Sequence, residues 1–185
     1  HMPPINMMEA VQKNAIDPQH AARFGELPMQ WNGRIVPVNT FSSEILRKVH
    51  KELTIGKLNA DQFLLSFLSM PQMWMRVPFI AVSNKEISRH YRLPDDYCAY
   101  FQLIDEGGNY VLMPKLQEAY SKQPAERSSF DKALIKLDER VNIVFQLLNR
   151  QLLCIFPHPT DSAHTWYAPG GDLSAFPTED SLFIT

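Results

Sequence analysis

His158, Asp161 and His164 lie close together near the end of the chain and offer the imidazole and carboxylate donors that hold zinc or a similar ion. Nothing in the surrounding sequence fixes them on a rigid scaffold, so surface histidines are the competing reading. His20, His50 and His90 each stand alone on stretches with helical spacing. A lone histidine is able to ligate haem, but no CxxCH motif accompanies any of the three. Cys98 in "YCAYF" and Cys154 in "LLCIF" sit among apolar neighbours, where free cysteine behaves as a small buried hydrophobe. A Cys98–Cys154 disulfide is the alternative in an oxidising compartment. No GxGxxG, P-loop, GxSxG or HExxH pattern occurs. Catalytic, cofactor-binding and metal-binding residues are therefore all assigned as none.

Recognition chemistry is better represented. Asp138-Glu139-Arg140 is a charged triplet inside a long apolar stripe, so part of it must face water or a partner. Arg140, beside the stripe residue Val141, is placed to reach a carboxylate on a neighbouring element. Trp31 and Arg34 flank an Asn-Gly dipeptide, and a rigid turn there would project Arg34 as a docking residue. The candidate partner-binding residues are Trp31, Arg34, Asp138, Glu139 and Arg140, with the strand edge around Trp31–Val36 as a place for strand addition.

These residues need elements to position them. "LPMQWNGRIVPV" sets Asn32-Gly33 between two β-prone arms, the strongest short-range hairpin signal, because a type I′ turn needs φ > 0 at both central positions. Pro37 closes the second arm because it has no N–H for a ladder. Asn39 or Thr40 is the expected cap of a following helix with Phe41, Ile45, Leu46, Val49 and Leu53 on one face. Its Arg47, Lys48 and Lys51 read as a solvated basic end, diluted by Glu44 and Glu52.

Earlier in the chain, "PPINMMEAVQKNAI" and "DPQHAARFGEL" predict two short helices, the second stopped by Gly25. Asn59 with Gln62 and Ser83 with Glu86 form capping-box patterns before two more helices. "VPFIAVS" predicts a strand, "DYCAYFQLI" a helix, and "NYVLMPKLQEAYSKQP" a helix entered through Pro114 after the Gly107-Gly108 break. The longest element starts at Ser128 and Asp131. Its apolar residues Phe130, Leu134, Leu137, Val141, Val144, Leu148, Leu152 and Ile155 recur at three- or four-residue intervals, and it should end before Pro157. The remaining tail is expected to be irregular and packed by Trp166, Tyr167 and Phe176. The fold class is mainly α: a helical domain with a long helix in its C-terminal half and a small β-hairpin as minor α+β component.

With 185 residues, 45% of them hydrophobic and 21% charged, the chain has material for one real core. A formal net charge of −2 gives no electrostatic case for nucleic acid. No run approaches the roughly 18 apolar residues of a membrane span. His1-Met2 reads as a cloning scar, leaving residues 3–185 as a single domain.

In their order, "HAARFGELPMQWNGRIVPVNTFSSEILRKVHKE", "LNADQFLLSFLSMPQMWMRVPFI", "LDERVNIVFQLLNRQLLCIFP" and "TWYAPGG" resemble the large extracytoplasmic domain of fused system II cytochrome c biogenesis proteins, the ResB–CcsA type. Gly33 to Lys48 and Leu137 to Asn142 carry the resemblance most specifically. It implies a non-catalytic periplasmic domain, excised from a multi-span protein on the periplasmic side of the inner membrane. The full-length protein would export haem and attach it to apocytochrome c. The implied partners are apocytochrome c and the membrane-embedded parts of the same protein. The implied cofactor is none in this domain, haem being handled by the full-length protein. The tryptophan-rich loop and haem-ligating histidines of that family have no counterpart, since Trp31, Trp74 and Trp166 are isolated. A haem-relay domain, binding haem through an exposed His or Met, is the alternative function.

Overall fold

A computed structural model describes residues 6–154, 156–157 and 166–167. Capping decides where its first helices begin. Asn6 accepts from the Met8 and Glu9 amides to start α1 (Met7–Lys13), and Asp17 accepts from the Gln19 and His20 amides to start α2 (Pro18–Gly25). The expected hairpin follows: β1 (Pro28–Trp31) pairs antiparallel with β2 (Arg34–Pro37), and Asn32 and Gly33 take φ of 51° and 73°. Both central residues are left-handed, as a type I′ loop requires.

The third helix, α3 (Val38–Val49), starts without the expected Asn39 or Thr40 cap. The Val38 amide donates to the Leu27 carbonyl at 2.9 Å, so the hairpin ladder itself satisfies the first helical N–H. That frees the Asn39 amide to donate to Asp61 at 2.8 Å. Leu53 lies beyond the end of α3 and is 68% exposed, because the chain turns away at Lys51 with φ 71°. A tight ribbon of β3 (Thr54–Ile55) and β4 (Leu58–Asn59) then leads into α4 (Ala60–Ser69), opened by the Asn59–Gln62 capping box.

Around α4 the chain builds an aromatic heart. Pro71 starts the single turn α5 (Pro71–Trp74), and the Phe63, Phe67, Trp74 and Phe79 rings meet with centroids 5.0 to 6.2 Å apart. Such pairs add about 0.5–1.5 kcal/mol each beyond their burial. The Trp74 indole also donates to Ser66 Oγ at 2.9 Å. Gly25 is not a left-handed stop. It remains inside α2, where a Cβ would collide with the Asp61 carboxylate, so the residue permits α2 to approach α4. Asp61 in turn accepts from Ser42 Oγ and Asn39, tying α3 to α4.

The second half departs from expectation in several places. The strand expected in "VPFIAVS" is only β5 (Ile80–Ala81). The expected Ser83–Glu86 box gives way to Asn84, whose side chain accepts from the Glu86 and Ile87 amides and caps α6 (Lys85–Tyr91). Ser83 sits one residue too early to cap. "DYCAYFQLI" is not a helix but β6 (Tyr97–Cys98), antiparallel to β5, followed by a 3₁₀ turn at Tyr100–Leu103. A short buried apolar run looks alike in both conformations, and only the pairing with β5 decides between them.

After Gly108 at φ 80° come α7 (Met113–Ser121), a 3₁₀ turn at Pro124–Glu126 and α8 (Ser129–Leu148). The Ser128–Asp131 box opens α8 as expected. Its apolar seam of Leu134, Leu137, Val141, Val144 and Leu147 is buried, each side chain contributing about 1.5–3 kcal/mol of gross burial. The helix stops well before Pro157, however. Arg150 turns left-handed at φ 56°, with Gln151 N–H bonded to the Gln146 carbonyl and Arg150 N–H to that of Leu147. This is a Schellman ending, and it leaves Leu152 outside the helix. Two short strands, β7 (Phe156–Pro157) and β8 (Trp166–Tyr167), pair antiparallel beyond it. Ile155 and Phe176 lie outside the described residues.

The mainly helical class with a small hairpin is what the structure shows. The core has two centres. α2, α3 and α5 gather on α4, while α3, α6, α7 and β5 pack on α8.

Candidate functional site

The 138–140 triplet splits across α8, because successive helical residues point about 100° apart. Asp138 turns inward and accepts from the Tyr110 hydroxyl at 2.9 Å, the Tyr120 hydroxyl at 3.2 Å and the Asn142 amide at 3.3 Å. Burial and then the Asp138 charge push the Tyr110 and Tyr120 hydroxyls up from their ordinary range, so both remain donors at any physiological pH. Beside this network, Tyr100, Ile104, Tyr110, Val141, Asn142 and Phe145 line an open apolar groove of about 240 Å³, with the Phe145 ring 48% exposed.

Arg140 turns to the other flank and is only 5% exposed. The carboxylate expected to meet it is not its partner. Its Nη1 donates to the Ala81 carbonyl at 2.5 Å, on β5. Around it opens a cleft of about 510 Å³ lined by Lys48, Lys51, Ser83, Lys136, Glu139 and Ile143. Glu139 is exposed, and among the described residues it forms no ion pair within 4.0 Å; the pairs found are Lys115–Glu118 and Lys122–Asp131. The Lys51 ammonium is pushed down by burial and by the neighbouring Arg140 and Lys136 charges, with Glu139 opposing. The cleft is electropositive.

The hairpin places its two candidates differently. Trp31 is half-buried and anchored: its indole donates to Glu44 Oε2 at 3.0 Å, its ring meets Phe41 edge-on at 4.8 Å, and Lys48 Nζ lies 5.9 Å from its centre. Arg34 is exposed at the loop. The expected strand edge is largely used. Gln30 N–H on β1 donates to the Cys154 carbonyl at 2.9 Å, so the outer edge of β1 is covered by the chain itself. On β2, register leaves the Ile35 N–H pointing outward, while Pro37 has none to offer, so this edge is too short for a long added strand.

His50 is a core residue, its Nδ1 2.9 Å from the Phe79 carbonyl and its ring stacked on Tyr97. His20 and His90 are exposed. Both cysteines are unpaired; burial pushes the Cys98 thiol up to about 12, and Cys154 is half-buried. His158, Asp161 and His164 lie outside the described residues. Among the described residues no three His, Cys, Asp or Glu side chains converge on a metal position, and no helix is long and apolar enough to cross a membrane.

In the sequence, Lys48 and Lys51 read as a solvated helix end, Ser83 reads as a helix cap, and Lys136 carries no assignment. Part of the signal is present in the spacing: Lys136, Arg140 and Ile143 recur at a helical interval on α8, whereas Lys48 lies at the end of α3 and Lys51 in the left-handed turn just past it. What was missing was that the two faces meet.

No family model matches the chain. It is similar to Protein NrfI of Wolinella succinogenes, 34% identical over 145 residues, which is 77% of this chain and 16% of that protein. The chain thus spans about a sixth of the length of the curated relative it matches, and its likeness is to one segment of a far longer protein.

Proposed function

We propose that the chain is an accessory, non-catalytic domain of a cytochrome c biogenesis protein of the ResB–CcsA type. It would stand on the periplasmic side of the inner membrane and hold apocytochrome c for the membrane-embedded parts that handle haem. The observation that carries this reading is the run of segments resembling that domain, above all Gly33 to Lys48 and Leu137 to Asn142. The likeness to Protein NrfI supports the same reading, because the matched stretch is 16% of that longer protein.

The second resembling segment lies on α8, beside the groove of Ile104, Val141 and Phe145. An extended, disordered segment docks by laying apolar side chains into such a groove while Asn142 and the Tyr110 rim supply polar contacts. Arg34 and Glu139, both exposed, remain available as peripheral charges that steer a partner.

Isothermal titration with a CxxCH-containing peptide tests the holding role. Saturable micromolar binding that Phe145→Ser weakens is expected. No binding at high-micromolar peptide removes the holding role and leaves the domain as a brace for the membrane parts. A parallel haem titration separates the relay alternative, since only a Soret shift abolished by His20→Ala or His90→Ala would support it.

A further inference from the structure

We propose that the cleft between the end of α3, the Ser83 loop and the middle of α8 binds a phosphate-bearing anion. This cleft is distinct from the holding groove of Val141, Asn142 and Phe145, which lies on the opposite flank of α8.

The cleft gathers Lys48, Lys51, Lys136 and Arg140 against Glu139 alone, a formal excess of three positive charges in a chain whose net charge is −2. Such a cluster is costly. Lys136 and Arg140 are like charges one helical turn apart, which destabilises a helix by a few tenths of a kcal/mol. Lys51 holds a left-handed φ of 71° just past α3, a position where glycine is the usual choice. The lysine side chain thus sits where backbone preference favours no side chain at all, and its ammonium lines the cleft. Burial first, and then the Arg140 and Lys136 charges, lower the proton affinity of its ammonium, with Glu139 opposing. A bound anion would offset the repulsion among these cations.

Charge and shape select the class of anion. A monocarboxylate cancels one of three excess charges; a phosphomonoester dianion or a diphosphate cancels two or three. Arg140 is held by its Nη1 bond to Ala81, so its guanidinium is fixed in orientation before any ligand arrives. The three lysines are point charges that adapt around a tetrahedral group. Ser83, displaced from the capping role by Asn84, brings a hydroxyl to the same rim. At about 510 Å³ the cleft is far larger than a phosphate group, and Ile143 gives it an apolar wall, so the ligand carries an organic body.

Inorganic pyrophosphate is the first probe, titrated into the whole domain by calorimetry with citrate as the carboxylate comparison. Saturable pyrophosphate binding is expected. It should be roughly tenfold weaker or worse in Lys48→Gln/Lys136→Gln, both exposed positions, and in Lys51→Gln should the double variant fail to fold. Amide shifts on binding should centre on Ser83, Lys136 and Glu139. Co-sedimentation with phosphatidylcholine vesicles, with and without phosphatidic acid, separates the sources. Selective capture by phosphatidic acid assigns a lipid phosphate, and pyrophosphate binding without capture assigns a soluble one. Citrate binding as tightly as pyrophosphate, unchanged affinity in the lysine variants, shifts centred elsewhere, or no saturable binding of any probe overturns the proposal.

Discussion

Two neighbouring residues of one helix, Asp138 and Arg140, are both nearly buried and both charged, yet their surroundings are opposites. Asp138 meets three donors and lies in a closed network. Arg140 has one backbone carbonyl and, around it, three lysines against Glu139. The first arrangement is what folding alone selects, since a buried charge must find its partners within the chain. The second is poor as a stabilising device. A cation cluster that the fold does not need is one that a ligand can use.

The comparison is sharpest in stability. Asp138→Ala leaves the Tyr110 hydroxyl without its acceptor and should cost about 3 kcal/mol in urea unfolding. A loss below about 1 kcal/mol would break the contrast between the two flanks. Within the network, Tyr110→Phe should cost about 1 kcal/mol, and Tyr120→Phe only a few tenths, because the Tyr120 side chain is half exposed. Equal costs would place the network nearer to solvent than its geometry indicates.

The start of α8 supplies a pH test. The Lys122 ammonium, followed by the Ser128 amide, holds the Asp131 carboxyl down from 3.8 to about 2. A lowered carboxyl pKa means the folded state holds its proton less tightly than the unfolded state. The stabilisation is therefore complete above about pH 5 and is lost as pH falls from about 4 towards 2. Asp131→Asn should flatten the stability profile across that window and leave its shape at neutral pH unchanged. The smallest effect concerns thiols. At pH 8 a thiol reagent should label Cys154 in the native domain and reach Cys98 only after unfolding, since burial raises the Cys98 thiol to about 12.

What the sequence disclosed was local. Asn32-Gly33, Asn59 with Gln62, and Ser128 with Asp131 each act within three residues, and each formed as expected. Where a partner came from far along the chain, local reading failed. Asn39 gave up its cap because Leu27 supplied the hydrogen bond, and α8 ended early in a left-handed turn at a residue that is not glycine. Arg140 found the carbonyl of Ala81, an acceptor that every residue has and no composition advertises. The charged triplet could be seen, but its division between a closed flank and an open one depends on which elements pack on each side.

Arg140→Met, assayed on one sample for both unfolding free energy and pyrophosphate affinity, tests the division most directly. The division predicts a stability change of about 1 kcal/mol or less, because an apolar side chain replaces a poorly paired charge, together with loss of pyrophosphate binding. A stability loss matching that of Asp138→Ala, with pyrophosphate affinity retained, would contradict it.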